Sequence, residues 1–291
     1  MSAKPSRLGG YCRVTERYLL LGGDVSRSPT PRMMNAAFKQ LGLDATYSAS
    51  NVEKGELGSA FAGIFEAQTS GFSVTMPHKT AIVRFLTLLD DASSRVGAVN
   101  TVKREGESYL GYNTDVDGIV ESLESRGHSR PKRAFVIGTG GAARAFCEAM
   151  HELGCGELVA LSRSPGKASD FLEAMRAAFP RIELDVVPAE NPPTEAPDLV
   201  FNASPAGANG IDLPGHTKRI LESRPTVFDA VYLPVKTELI AMAEKLGCET
   251  IYGHEMLLAQ AANALKIWTG HDAPIETMKK SLLDSLGVRR D

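Results

Sequence analysis

The stretch Ala134-Phe135-Val136-Ile137-Gly138-Thr139-Gly140-Gly141-Ala142-Ala143 decides the fold. Its four leading apolar residues form too short a run for a helix and suit a strand buried on both faces. Gly138 to Ala143 then satisfies G-x-G-x-x-A, and a helical pattern covers residues 142–153. In a dinucleotide-binding turn the first glycine permits the tight reversal. The second lets the backbone approach a pyrophosphate, and the small Ala143 lets helix pack on strand. The helix N-terminus adds amide donors and the positive end of its dipole. A second strand follows at residues 157–161, so strand, turn, helix and strand occupy about 30 residues, the size of one βαβ unit. An isolated glycine turn is equally at home as a packing device; the flanking strand and helix are what favour nucleotide binding here.

The end of that second strand selects the cofactor. An NAD site places Asp or Glu there to accept from the ribose hydroxyls. This chain has Ser162-Arg163-Ser164, with Lys167 close behind and no acid. Two cations and two hydroxyls suit a 2′-phosphate, so NADP is the expected cofactor. A solvated basic turn is the alternative reading of the same residues.

Outward from this unit, the α/β alternation continues. Strands are predicted at residues 17–21, 45–52 and 72–74, and helices at 31–41, 56–66 and 77–86. A β pair is predicted from residues 98–103 and 109–112, and then a helix at 115–125. Beyond the nucleotide unit, strands are predicted at residues 183–187, 198–201 and 227–229, and two closing helices at 255–268 and 274–286. The predicted fold is α/β: a mostly parallel N-terminal sheet and a Rossmann-type domain with a cleft between them. The expected division is residues 1–114 with 253–291 as the substrate domain and residues 115–252 as the nucleotide domain.

Composition restricts the function classes. The 291 residues are 43% hydrophobic and 23% charged, with a formal charge of −3. That balance excludes a disordered chain and argues against a dedicated nucleic-acid binder. No apolar run approaches the ~18–20 residues of a bilayer span. The N-terminal segment has charges but no apolar leader core, so a cytoplasmic setting is expected. Cys12, Cys147, Cys155 and Cys248 form no CxxC pair and are expected as small buried hydrophobes. His151-Glu152 and His254-Glu255 begin HExxH but continue to Cys155 and Leu258, so no metal site is expected.

Four polar clusters precede the nucleotide unit: Ser26-Arg27-Ser28-Pro29-Thr30-Pro31, Ser73-Val74-Thr75-Met76-Pro77-His78-Lys79, Gly97-Ala98-Val99-Asn100-Thr101, and Gly111-Tyr112-Asn113-Thr114-Asp115. Singly, each reads as a turn or a helix cap. Together they offer hydroxyls, an amide, a lysine and a carboxylate, a set suited to a small polyhydroxylated acid.

In this order, from about residue 19 to about residue 270, the clusters resemble the shikimate dehydrogenase family, including its quinate/shikimate members. Gly22 to Pro31 matches G-x5-S-x-S-P, with Thr30 for the second serine. Ser73–Lys79 matches N-V-T-x-P-x-K, with Ser73 for asparagine. Gly138–Ala142 matches G-A-G-G-A, and Asn202-Ala203-Ser204, Asp229–Tyr232 and Met256–Gln260 complete the set. The resemblance implies Lys79 and Asp115 as the catalytic pair. It also implies Ser28, Thr30 and Tyr232 near the substrate carboxylate, and Thr75, Asn100, Asp115 and Gln260 on ring hydroxyls. Gly138, Gly140, Gly141, Ala142, Ser162, Arg163, Ser164 and Lys167 would hold NADP, and Gly253 would lie near the nicotinamide. The implied activity is reversible NADP-dependent reduction of 3-dehydroshikimate, in aromatic amino-acid biosynthesis. The implied partners are that small molecule and the cofactor, with no nucleic acid or membrane, in a monomer or homodimer. Two alternatives are a quinate/shikimate dehydrogenase of broader range, to which Thr30 and Ser73 draw attention, and a non-catalytic NADP-binding sensor.

Overall fold

A computed structural model describes residues 15–128, 130–208 and 210–288. Cys12 lies outside them. The chain builds two six-stranded sheets.

The first sheet contains β1 (Glu16–Gly22), β2 (Ala45–Asn51), β3 (Gly71–Val74), β4 (Leu88–Leu89), β5 (Thr101–Glu105) and β6 (Ser108–Tyr112), in the order β2-β1-β3-β5-β6-β4. β1 pairs in parallel with β2 and β3, whereas β5 runs antiparallel to both β3 and β6. Its helices are α1 (Thr30–Leu41), α2 (Leu57–Glu66) and α3 (Asp91–Val96), and α4 (Thr114–Glu124) leads out of β6. This topology has a direct consequence for the site. The ends of β1, β3 and β6 and the start of β5 meet at one edge, which brings all four polar clusters together.

The second sheet is wholly parallel. It comprises β7 (Arg133–Ile137), β8 (Glu157–Ser162), β9 (Glu183–Pro188), β10 (Leu199–Asn202), β11 (Thr226–Asp229) and β12 (Thr250–Ile251). These are interleaved with α5 (Gly141–Glu152), α6 (Pro165–Ala178), α7 (Thr217–Leu221) and α8 (Glu238–Leu246). Its order, β12-β11-β10-β7-β8-β9, is that of a doubly wound nucleotide-binding fold. Both faces are covered, so residues 134–137 of β7 and 199–201 of β10 are apolar throughout. Phe146 on α5 stacks on Phe201 of β10 at 4.6 Å.

The last two helices, α9 (Gly253–Thr269) and α10 (Ile275–Leu286), return to the first sheet. Trp268 packs on Tyr18 and Tyr47, and its indole donates to the Val102 carbonyl at 2.9 Å. α4 serves both halves: Ile119 and Leu123 join the apolar core of the second sheet. Gly118, on the same helix, lies so close to α9 that a Cβ there would meet the Met256 carbonyl at 3.1 Å.

Two expectations change. The helix predicted over residues 77–86 is a run of turns ending in a single 3-10 turn, Ile82–Phe85. Tertiary bonds take the groups a helix would use: the Val99 amide donates to the Lys79 carbonyl at 2.8 Å, and Gly23 to the Met76 carbonyl at 2.9 Å. The strand predicted from residue 98 starts at Thr101, because residues 97–100 form the turn that carries Asn100.

Candidate active site

Between the sheets lies a cleft of about 430 Å³. Of the predicted substrate and catalytic residues, Ser28, Thr30, Thr75, Lys79, Asn100, Asp115, Tyr232 and Gln260 all line it. From the second half Ala142, Ala203 and Ser204 also line it, with Gly253 and Met256 of α9.

At its centre Lys79 Nζ donates to Asp115 Oδ2 at 2.5 Å, with only 15% and 5% of the two side chains exposed. The other carboxylate oxygen is held independently, since Asn100 Nδ2 donates to Asp115 Oδ1 at 2.8 Å. Asn100 is fixed in turn. Its Oδ1 accepts from the Thr114 amide at 2.8 Å, and its Nδ2 also reaches Gln260 Oε1 at 3.0 Å. Asn113 stands at the N-cap position of α4, but its side chain donates to the Ala98 carbonyl and does not cap the helix. The Asn100 side chain satisfies the first helical amide in its place. Thus one buried amide ties two of the clusters to the returning α9.

The Ser28–Thr30 cluster leads into α1. Ser28 Oγ donates to Thr30 Oγ1 at 3.1 Å and accepts from the Thr30 amide at 3.3 Å. Burial pushes the Tyr232 phenol up from its usual range, and the Ser28 hydroxyl partly offsets this. Tyr232 therefore stays protonated and available as a donor to an anion. It is set by the Asp229 turn, in which Asp229 accepts from the Val231 amide, Asn202 and Thr237. Burial raises Asp229 to about 6 in spite of those three bonds.

The nucleotide loop has the shape its sequence implies. Gly138 has φ +109°, and a Cβ there would stand 3.2 Å from Ser204, so this position requires glycine twice over. It lies where the strand order reverses between β7 and β10, the crevice in which such folds bind nucleotides. Gly140 caps α5 without any side chain and faces open space. The backbone amides of the first turn are thus directed at a cradle that would receive a pyrophosphate. Ser162 Oγ accepts from the Ser164 amide at 3.2 Å and shapes the turn after β8. Arg163 and Lys167 are exposed there, and neither makes a salt bridge among the described residues. This donor set fits the 2′-phosphate of NADP.

Gly141 is not one of the fingerprint positions of G-x-G-x-x-A, yet its place is equally restricted. A Cβ on it would lie 3.0 Å from the Lys79 Cβ and 3.2 Å from its Cδ. The lysine stem therefore rests directly on the nucleotide loop. Gly141→Ala is expected to displace Lys79 and lower kcat about tenfold. NADP affinity, measured by titration calorimetry, should change by less than about twofold because the amide donors remain. A parallel loss of affinity would assign Gly141 to the cofactor alone.

Gly253 is tighter still, since its Cβ would fall 2.5 Å from the Val231 carbonyl oxygen. His254 and Glu255, although they follow Gly253, do not line the cleft. Glu255 turns back to cap α9 at the Tyr252 amide and pairs with Arg126, while the His254 ring packs on Tyr252.

A contact that sequence reasoning missed joins the two halves. Arg95 on α3 donates to Glu148 on α5 through Nε at 2.9 and 3.1 Å and through Nη2, and Glu148 is fully buried. Arg144, also on α5, donates to the Val96 carbonyl at 3.0 Å. A carboxylate in the middle of an apolar helix was the available signal, since such a residue is buried only with a partner. No group of three or more metal-binding side chains occurs among the described residues, and no described helix is long and apolar enough to cross a membrane.

Comparisons with known proteins identify the family. Residues 20–102 match the family model for the shikimate dehydrogenase substrate binding domain, and residues 253–283 that for the shikimate 5′-dehydrogenase C-terminal domain. The shikimate dehydrogenase (NADP(+)) of Moorella thermoacetica is 38% identical over 277 residues, covering 92% of this chain and 93% of its own. The crystal structure of a Thermus thermophilus shikimate 5-dehydrogenase in complex with NADP(H) and shikimate superposes with a TM-score of 0.80 at 28% identity. It covers 93% of this chain and 100% of that one. A quinate dehydrogenase from Corynebacterium glutamicum in complex with NAD gives 0.83 at 26% identity, covering 93% and 99%. With these motifs, this sheet order and identity extending over nine-tenths of both sequences, the chain belongs to the shikimate dehydrogenase family.

Proposed function

We propose that this chain reversibly reduces 3-dehydroshikimate to shikimate with NADPH, in the pathway to aromatic amino acids. The observation that carries this reading is the Lys79–Asp115 pair, 2.5 Å apart in a cleft that Ala142 of the glycine loop also lines. When bound, the cofactor accepts a hydride in the oxidative direction and supplies one in the other. Oxidation of the substrate alcohol must also release a proton from its oxygen, and the neutral Lys79 amine takes it. In reduction the Lys79 ammonium returns it and stabilises the developing alkoxide. Asp115 orients Lys79 through one oxygen while Asn100 holds the other. Ser28, Thr30 and Tyr232 would hold the carboxylate, and Thr75, Asn100 and Gln260 the ring hydroxyls. A site that pairs each hydroxyl rejects analogues lacking one.

Gly138, Gly140, Gly141 and Ala142 would hold the pyrophosphate, with Gly253 beside the nicotinamide. Ser162, Arg163, Ser164 and Lys167 would hold the 2′-phosphate. We also assign residues 1–114 with 253–291 to the substrate unit and 115–252 to the nucleotide unit, a division supported by the return of α9 and α10 to the first sheet. A cytoplasmic setting belongs to this reading, supported by the buried free thiols Cys147, Cys155 and Cys248.

Steady-state oxidation of shikimate and of quinate, each with NADP and NAD, tests the proposal. Shikimate with NADP should be the preferred pair, and Arg163→Ala should raise the NADP KM about tenfold or more while leaving the NAD KM near its original value. Comparable kcat/KM on quinate would instead favour the broader quinate/shikimate activity. Tight NADP binding without turnover would favour a sensor.

A further inference from the structure

Tyr47 is the one buried residue of β2, and the cleft does not reach it. Its backbone is pinned on both sides by one amide: Asn35 Oδ1 accepts from its N–H at 2.9 Å, and Asn35 Nδ2 donates to its carbonyl at 2.8 Å. Its ring packs on Trp268, 5.9 Å between centroids. From there the side chain reaches over β1 to β3, and its hydroxyl donates to Ser73 Oγ at 2.8 Å. Register makes this reach possible, because Tyr47 lies opposite Tyr18, and Leu20, two residues further along β1, lies opposite Ser73. Ser73 itself is half-buried and lines the cleft.

The direction of that bond has a chemical consequence. Tyr47 Oη has Ser73 as its sole hydrogen-bond partner among the described residues. The reverse arrangement, Ser73 donating, would leave the phenolic proton unpaired in an apolar core. Burial also holds the Tyr47 phenol well above its usual range, so the proton stays in place across the working pH. With one lone pair of Ser73 engaged, the Ser73 proton makes no bond to any described side chain or backbone group and is left for the cleft.

We propose that Tyr47 is a positioning residue that sets substrate specificity: it commits the Ser73 hydroxyl to act as a hydrogen-bond donor to an oxygen of the ring substrate. This rests on the activity proposed above. It concerns binding in the ground state, so it separates KM from kcat.

Tyr47→Phe removes the hydroxyl and keeps the ring, and Ser73→Ala removes the group it orients. Assayed with shikimate and NADP, each variant should raise the shikimate KM about fivefold to tenfold, with kcat changed less than about twofold and the NADP KM unmoved. The double variant should be no worse than either single one, since both remove the same bond. Equal thermal midpoints for wild type and Tyr47→Phe would exclude a loss of packing; a lowered midpoint with additive KM effects would reduce Tyr47 to a structural role. An unchanged KM in Tyr47→Phe would overturn the inference while wild-type turnover keeps the proposed activity. Wild-type protein inert toward shikimate would overturn both.

Discussion

Lys79→Ala is expected to lower kcat for shikimate oxidation by about 10³-fold, the scale at which a positioned acid–base group contributes. NADP affinity should stay within about twofold, because the lysine contacts the nucleotide loop only through its stem at Gly141. Two features make the loss large. Only 15% of the side chain is exposed, so bulk water does not readily replace the amine as proton acceptor. Asp115, 5% exposed, is also left with a carboxylate oxygen stripped of its cation in a closed site. Asp115→Asn should cost less, because Asn100 and Thr114 still define the neighbourhood and the amine remains. Single-turnover measurements with saturating cofactor would separate chemistry from binding. A Lys79→Ala variant retaining more than about a tenth of wild-type kcat would remove Lys79 from the proton path.

The largest stability effect is expected at Arg95→Met. Glu148 is fully buried, whereas 41% of the Arg95 side chain is exposed, so the two truncations are not equivalent. Removing Glu148 leaves an arginine that can turn to water. Removing Arg95 leaves a carboxylate with no cation in the apolar core of the second sheet, at a cost of about 3 kcal/mol. Urea unfolding at neutral pH should show this deficit as a lowered midpoint with an unchanged slope. A deficit below about 1 kcal/mol would mean that water reaches the carboxylate once the guanidinium is gone.

What the sequence disclosed depended on how local each cause was. The β7–α5–β8 unit was legible because strand, glycine turn and helix are consecutive and each obeys its own periodicity. The absence of an acid after β8 was visible for the same reason. The polar clusters could be found but not assembled, because the edge on which they meet is created by strand order. Residues 77–86 misled, since Pro77 and the apolar spacing that follows suit a helix, while the Val99 amide captures the Lys79 carbonyl from a distant segment. α3, α6, α7 and α8 were not assigned, and three of them are short or weakly patterned. Tyr47 carried no signal beyond its place in a strand; its partner Ser73 is 26 residues away. Arg95–Glu148 spans 53 residues: Glu148 among apolar neighbours signalled a buried carboxylate, but nothing local named its partner.

The return of α9 and α10 orders events during synthesis. A growing chain released only as far as residue 252 has every strand of both sheets. It lacks Trp268, Leu265 and Met278, which cover Tyr18, Phe38 and Tyr47 in the finished protein. The parallel sheet, whose core draws almost wholly on earlier residues, has its partners before α9 and α10 are made. The first sheet must wait for a segment made after both sheets, and until then an aromatic face stands open to chaperones or to aggregation.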